Sequence, residues 1–442
     1  MLPSFFRRIV GARSTATAIG QGFLANGLML VLNVATGIIT ARTLGPVGRG
    51  EVAALIAVPT FICFIAPLGL SSAIVFESGR GQNTSSALSS AALLLATLLG
   101  LVASAIAFTI TPWVLATHSH SLVAMAALLS VFTVPGLLSN LGMAVLQGAH
   151  RFRECNLVRI SQPIVTILAL GLLLAGPGLT PLQVALVTLS AGIPGLFWNL
   201  WLIWPKTRVT RQELRAAVTK LYGYALRACF GELLSGLAGQ LDKILVVALY
   251  APHEAGLFMV ALGLSRILLV APQAATQVLF SRTVGRSTQE VVATVTRTAA
   301  VTLAMVAAGI LLLGISGASL LATLYSPEFV AGAALLQLLL VEAGLSAIHQ
   351  VISQPFLSLD RPSALGVQQA AGITTSIALL LLLSGHLGII GAGWALLAGS
   401  AVRLVLAVVM FKPVLGHAAP AVLRELGPSL ALLAQRIRGG TL

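Results

Sequence analysis

A dozen long apolar runs, with the positive charge of the gaps between them sorted to one side, constrain this 442-residue chain more than any other feature. A helix of roughly 20 apolar residues crosses a hydrocarbon core of about 30 Å. Runs of that length lie near 16–41, 51–76, 87–111, 121–147, 158–176 and 182–204. A second six lie near 223–249, 255–281, 293–315, 330–358, 363–384 and 388–411. Counting alternate gaps, 21 of the 26 Lys and Arg residues share a side with the N-terminus, whereas only Arg42 and Arg49 face the other. Lys243, Arg266 and Arg403 fall inside spans. Basic residues concentrate in cytoplasmic loops, so the pattern predicts an all-α polytopic membrane protein with both termini in the cytoplasm.

Composition narrows the function. With 57% hydrophobic and 9% charged residues, no gap is long enough for a soluble catalytic domain, and the chain reads as a non-enzyme. The net charge of +14 is spread over short loops rather than gathered on one recognition element, which points to membrane topology and not to nucleic acid. The first run contains Gly and Asn and lacks a short apolar core with a small-residue cleavage site, so it reads as a retained helix. Cys63, Cys155 and Cys229 imply no disulfide framework. His118 and His120 have no cysteine or acid nearby, so no metal site is expected. No phosphate-cradling Gly-x-x-x-x-Gly-Lys sequence occurs. No cofactor is implied, and any work done must draw on an ion gradient, the membrane potential or the substrate gradient.

The spans divide into an N-terminal six-helix lobe (1–205) and a C-terminal one (223–412), joined by a hydrophilic linker (206–222) and followed by an interfacial tail (413–442). In the linker, Thr210 and Glu213 have capping-box spacing, and Leu214, Val218 and Leu221 suit an amphipathic helix on the cytoplasmic leaflet. The lobes echo each other at an offset of 206: Pro46 matches Pro252, Gly50 matches Gly256, and Gly79-Arg80 matches Gly285-Arg286. Six spans per lobe make this a parallel repeat about an axis along the membrane normal, as in transporters that rock two lobes around a central cavity.

Ionisable groups inside a membrane are costly and usually line a bundle interior or an aqueous cavity. Helical projection gathers Glu232, Ser235, Gly239, Asp242 and Lys243 on one face of the seventh run, and Arg266, Gln273 and Gln277 on one face of the eighth. It also aligns Glu342, His349 and Ser353 on the tenth, and Asn26, Asn33, Gly37 and Thr40 on the first. Lys243, Arg266, Arg42 and Arg403 are candidates for a substrate-binding role. Asp242, Glu232, Glu342 and His349 are candidates for coupling to H⁺ or Na⁺, and Asn26, Asn33, Gln273 and Gln277 for a polar cavity face. The same charges could instead pair only with each other, since three acids oppose three bases in the spans.

The run Ile38-Ile39-Thr40-Ala41-Arg42-Thr43-Leu44-Gly45-Pro46-Val47-Gly48-Arg49-Gly50-Glu51 resembles the first-loop signature of bacterial polysaccharide-biosynthesis membrane proteins. These are oligosaccharide flippases of the multidrug/oligosaccharidyl-lipid/polysaccharide exporter superfamily. Gln240-Leu241-Asp242-Lys243-Ile244-Leu245, then Ala255-Gly256-Leu257-Phe258 and Leu264-Ser265-Arg266, are similar to that family's seventh and eighth helices. The resemblance implies twelve or more helices in two lobes around a V-shaped cavity in a bacterial inner membrane. It also implies alternating-access transfer of a polyprenyl-diphosphate-linked glycan to the external leaflet, in company with glycan polymerase or glycosyltransferases. A diphosphate suits Arg and Lys donors, and Lys243, Arg266 and Arg42 are the residues at hand. Twelve spans lack the two further helices expected of a lipid II flippase. Two alternatives stay open: an ion-coupled drug or organic-cation antiporter of the same fold, and a scaffold for glycan-assembling enzymes.

Overall fold

The computed structural model describes residues 15–80, 86–176, 178–205, 207–283, 287–359, 361–417 and, in the tail, 420, 422, 424 and 425. The repeat match at Gly285-Arg286 and most of the predicted interfacial tail lie outside the described residues. Every regular element among those described is helical.

Helix α1 (Thr15–Ile65) holds the first span and the start of the second, which α2 (Leu70–Arg80) completes. The third span is α3 (Ser86–Val114). The fourth combines α4 (His120–Leu129), a 3-10 turn and α5 (Thr133–Gly148), the fifth is α6 (Phe152–Leu174), and the sixth joins α7 (Pro181–Ser190) to α8 (Ile193–Ile203). Then come α9 (Arg211–Leu249), α10 (Pro252–Ser265) with α11 (Val270–Thr283), and α12 (Thr288–Leu320). The chain ends with α13 (Ala333–Ile352), α14 (Gln354–Ser358), α15 (Pro362–Val409) and α16 (Phe411–Leu415).

Nine stretches of the described residues are long and apolar enough to cross a membrane. Two of them are double: α1 bends at Gly45 (φ 64°, ψ −175°) and α15 at Gly388 (φ 53°, ψ −144°). Both conformations belong to glycine, and Pro46 opens the second helix at a position where its missing N–H costs nothing. With α9 added, the helix count is the twelve that the sequence predicts. The linker is not a separate helix as expected. The Thr210 hydroxyl accepts from the Glu213 N–H and the Glu213 carboxylate accepts from the Thr210 N–H, so the capping box starts a helix that no proline interrupts before Leu249. The Thr210 backbone N–H and then its hydroxyl hold the Glu213 carboxyl below the usual carboxylate range.

The described chain forms two compact units, Met1–Met259 and Val260–Leu442. In the first, Ile74, Leu141, Leu146 and Leu221 are buried in a shared core drawn from α2, α5 and α9. In the second, Phe356 meets Phe411 edge-on at 5.6 Å beside Val291, Val295 and Val351. The 3-10 turn at Arg266–Leu269 precedes Pro272, whose ring denies Leu268 its helical N–H partner.

Within the first unit the internal repeat closes on itself. A Cβ at Gly50 would sit 1.7 Å from the Pro252 carbonyl oxygen, and a Cβ at Gly256 would sit 1.9 Å from that of Pro46. The matched residues thus touch reciprocally, as the two sides of a pseudo-two-fold contact do. Only glycine permits this approach. Gly50→Ala and Gly256→Ala should each cost about 1–3 kcal/mol or more, since backbone must move to admit the methyl. Thermal unfolding in detergent checks this, and two single variants with equal, sizeable losses would reflect the symmetry. Wild-type melting in either would contradict the contact.

Candidate functional site

The second unit brings two of its arginines to one buried carboxylate. Glu342 lies on α13, whose residues Glu342, Ser346 and His349 share a face that the capping Ser353 continues, and its side chain is 3% exposed. Arg266 donates Nη1–H to its Oε2 at 3.0 Å from the 3-10 turn of the eighth span. Ser346 and Ser400 donate their hydroxyls to Oε1, each at 2.8 Å, and Arg403 Nη2 stands 3.8 Å from the same oxygen. Arg403 also donates to Ser400 Oγ at 2.6 Å and to Gln369 Oε1 at 3.3 Å.

The geometry follows from small residues on α15. A Cβ at Gly372 would lie 2.3 Å from Arg403 Cγ, so this glycine makes room for the arginine stem. A Cβ at Gly399 would lie 1.9 Å from Ser376 Oγ, so the two segments of α15 on either side of the Gly388 bend pack closely and bring Gln369 within reach of Arg403. Two cations and one anion leave the cluster with formal charge +1. Arg266 keeps 33% of its side chain exposed against 18% for Arg403, so Arg266 is the more accessible guanidinium. Two turns from Glu342 along α13, His349 Nε2 donates to Gln368 Oε1 at 3.0 Å, and Ser353 donates to the same oxygen at 3.0 Å.

The first unit distributes its candidates differently. Glu232 accepts from the Gly69 N–H at 3.1 Å, from the Ser72 N–H at 2.7 Å and from the Ser72 hydroxyl. Lys243 donates Nζ–H to Gln240 Oε1 at 3.0 Å, while Asp242 Oδ1 accepts the Lys243 backbone N–H at 2.9 Å. Asn26 Oδ1 accepts from Arg159 at 3.5 Å. Arg42, Asn33 and Gln273 have exposed positions, and the side chains of Gln277 and Ser235 lie outside the described residues.

Of the predicted set, then, Arg266, Arg403 and Glu342 come together with His349 nearby, whereas Glu232 is engaged by α2. Sequence reasoning missed Ser346, Ser400, Gln368, Gln369, Arg159 and Ser72. The Gln368-Gln369 pair sits inside an otherwise apolar run, and adjacent amides there signal interhelical hydrogen bonding. Ser346 is one turn from Glu342 and Ser400 is three residues from Arg403, the spacings at which a helix places neighbours.

Comparison with solved structures gives the same fold. The lipid II flippase MurJ in an inward closed conformation aligns with a TM-score of 0.74 at 14% identity, covering 88% of this chain and 87% of that one. An inward-facing multidrug resistance MATE family transporter of the MOP superfamily aligns at 0.72 with 15% identity, over 87% and 94% of the two chains. An outward-facing structure of such a transporter aligns at 0.60 with 15% identity, over 88% and 93%. Comparison with curated protein sequences finds no match. A family model described as polysaccharide biosynthesis protein matches residues 39–284, more than half of the chain. This polytopic helical chain therefore belongs to the polysaccharide biosynthesis protein family and has the fold of MOP-superfamily transporters.

Proposed function

We propose that the chain is a flippase that moves a polyprenyl-diphosphate-linked oligosaccharide from the cytoplasmic to the external leaflet of a bacterial inner membrane by alternating access, for surface or secreted polysaccharide. The observation that carries this reading is the net-positive cluster at Glu342, in which two arginines are held by one buried carboxylate. A guanidinium presents paired donors that match phosphate oxygens, and Arg266 retains accessible surface. The carboxylate restrains Arg266 in advance, which lowers the ordering cost when an anion binds. Sorting of basic residues supports cytoplasmic termini.

The same geometry weighs against cation transport through Glu342. An organic cation or Na⁺ at this carboxylate would have to displace two guanidinium groups and two hydroxyls. Asp242 is the remaining acid on which the antiporter reading would rest, and the fold accommodates that reading equally. Mass spectrometry of polyprenyl-linked lipids from cells depleted of the protein separates the two. Accumulation of a lipid-diphosphate oligosaccharide is the expected result and identifies the glycan. No accumulation while the glycan-building enzymes are expressed, together with ion-dependent efflux of an organic cation, would transfer the assignment to the antiporter.

A further inference from the structure

Counted along the sequence, the seventh span belongs to the C-terminal six. By packing, it belongs to the compact unit that ends at Met259. Its partner there is the broken second span. Pro67, Leu68 and Gly69 interrupt that span, with Leu68 at φ 47° and Gly69 at φ 88°, and α2 starts again at Leu70. A restarting helix exposes unpaired N–H groups, and Gly69 has no side chain with which to satisfy them. Glu232 of α9 does so instead. One oxygen takes the Ser72 N–H, the third amide of the helix, and the other takes the Gly69 N–H just before it. These are the two amides that a capping box satisfies from within one helix, here supplied by a different span.

At the break itself the contact is made by backbone and small residues. A Cβ at Gly69 would lie 2.2 Å from the Ala225 carbonyl oxygen and 2.8 Å from the Cys229 nitrogen. A Cβ at Gly236 would lie 2.9 Å from the Phe64 carbonyl oxygen. Beyond Ser72, Phe76 stacks on Tyr224 with centroids 4.5 Å apart. At the break the strongly directional element is the carboxylate, while beyond it the two spans share the Phe76–Tyr224 stack and the core that holds Ile74 and Leu221.

We propose that Glu232 is a latch that fastens the seventh span to the restarted second span, and that its release is a required step of substrate movement. The role in movement rests on the flippase reading above. Glu232 is thus a positioning residue, and the leucine at positive φ marks the point about which the second span bends when the latch opens.

The test uses full-length protein in proteoliposomes, with Cys63 and Cys155 replaced so that Cys229 is the single thiol. Glu232→Gln and Glu232→Ala should raise maleimide labelling of Cys229 by about threefold or more relative to the parent, as expected of a local opening equilibrium. Equal labelling in parent and variants would overturn the latch. Separately, Phe76→Cys and Tyr224→Cys in a background lacking all three native cysteines allow a short bis-methanethiosulfonate linker to tie the spans. Flipping of the lipid-diphosphate oligosaccharide recovered from depleted cells should fall about tenfold or more when linked and recover on reduction. Full flipping by the linked protein would overturn the required release. An unlinked parent that flips nothing would instead count against the flippase reading, while the Cys229 labelling would still decide whether the latch exists.

Discussion

Glu342→Ala is expected to destabilise the protein by about 3–5 kcal/mol, the usual cost of removing one side of a buried ion pair. The carboxylate is almost fully buried and receives Arg266, Ser346 and Ser400 directly, with Arg403 close by. Alanine leaves two guanidinium groups facing each other across an emptied site, and neither can shed its proton. Membrane burial sharpens the penalty, because an unmatched charge has little water to turn to. Glu342→Gln should be milder. Its carbonyl oxygen can still accept from the serines, but its amide would present a donor to Arg266. The informative companion is Glu342→Leu with Arg403→Leu, which removes an opposed pair of charges and should recover part of the loss. Melting temperature and monodisperse yield in detergent are the measurements. A single Glu342→Ala variant that melts like the parent would show that the carboxylate does not hold the cluster.

How much of this was legible in the sequence differs between covalent neighbours and spatial ones. The twelve passes follow from hydropathy because a membrane leaves the backbone few choices. The Thr210–Glu213 cap could be read because it is local, and the glycine bends fall between two adjacent runs (Gly45) or where a run begins (Gly388). The repeat at Pro46, Gly50, Pro252 and Gly256 was visible as spacing, but that each glycine rests on the other copy's proline carbonyl was not. Partner choice was hidden for the same reason. Projection placed Glu232, Asp242 and Lys243 on one face, which invites pairing among them; in the structure Glu232 turns to the amides of Gly69 and Ser72. A charge count of three acids against three bases says nothing about which helices meet. It hides the outcome that one acid, Glu342, holds two bases. The break at Pro67-Leu68-Gly69 had a local signal, since proline and glycine punctuate helices, but it lay inside a run apolar enough to read as continuous.

Arg266→Ala should separate function from fold. Glu342 would keep Ser346, Ser400 and the nearby Arg403, so its charge stays compensated and the melting temperature should fall far less than in Glu342→Ala. On the flippase function proposed above, export should suffer more. A charge-assisted hydrogen bond contributes about 1.5–3 kcal/mol, and at 1.4 kcal/mol per factor of ten its loss corresponds to about ten- to hundredfold weaker handling of a diphosphate. Arg266→Lys tests whether charge alone suffices. An ammonium keeps the positive charge but lacks the planar fork, and cannot reproduce one guanidinium contacting carboxylate and phosphate together. Its export should fall between those of the parent and the alanine variant. Flipping in proteoliposomes, measured beside insertion and melting, distinguishes the cases. Full flipping by Arg266→Ala would remove the arginine from substrate recognition and leave it as a counter-ion for Glu342. Loss of flipping in Arg266→Ala with partial retention in Arg266→Lys would instead tie the substrate's anionic group to this side chain, because a purely structural role would affect melting and transport in parallel.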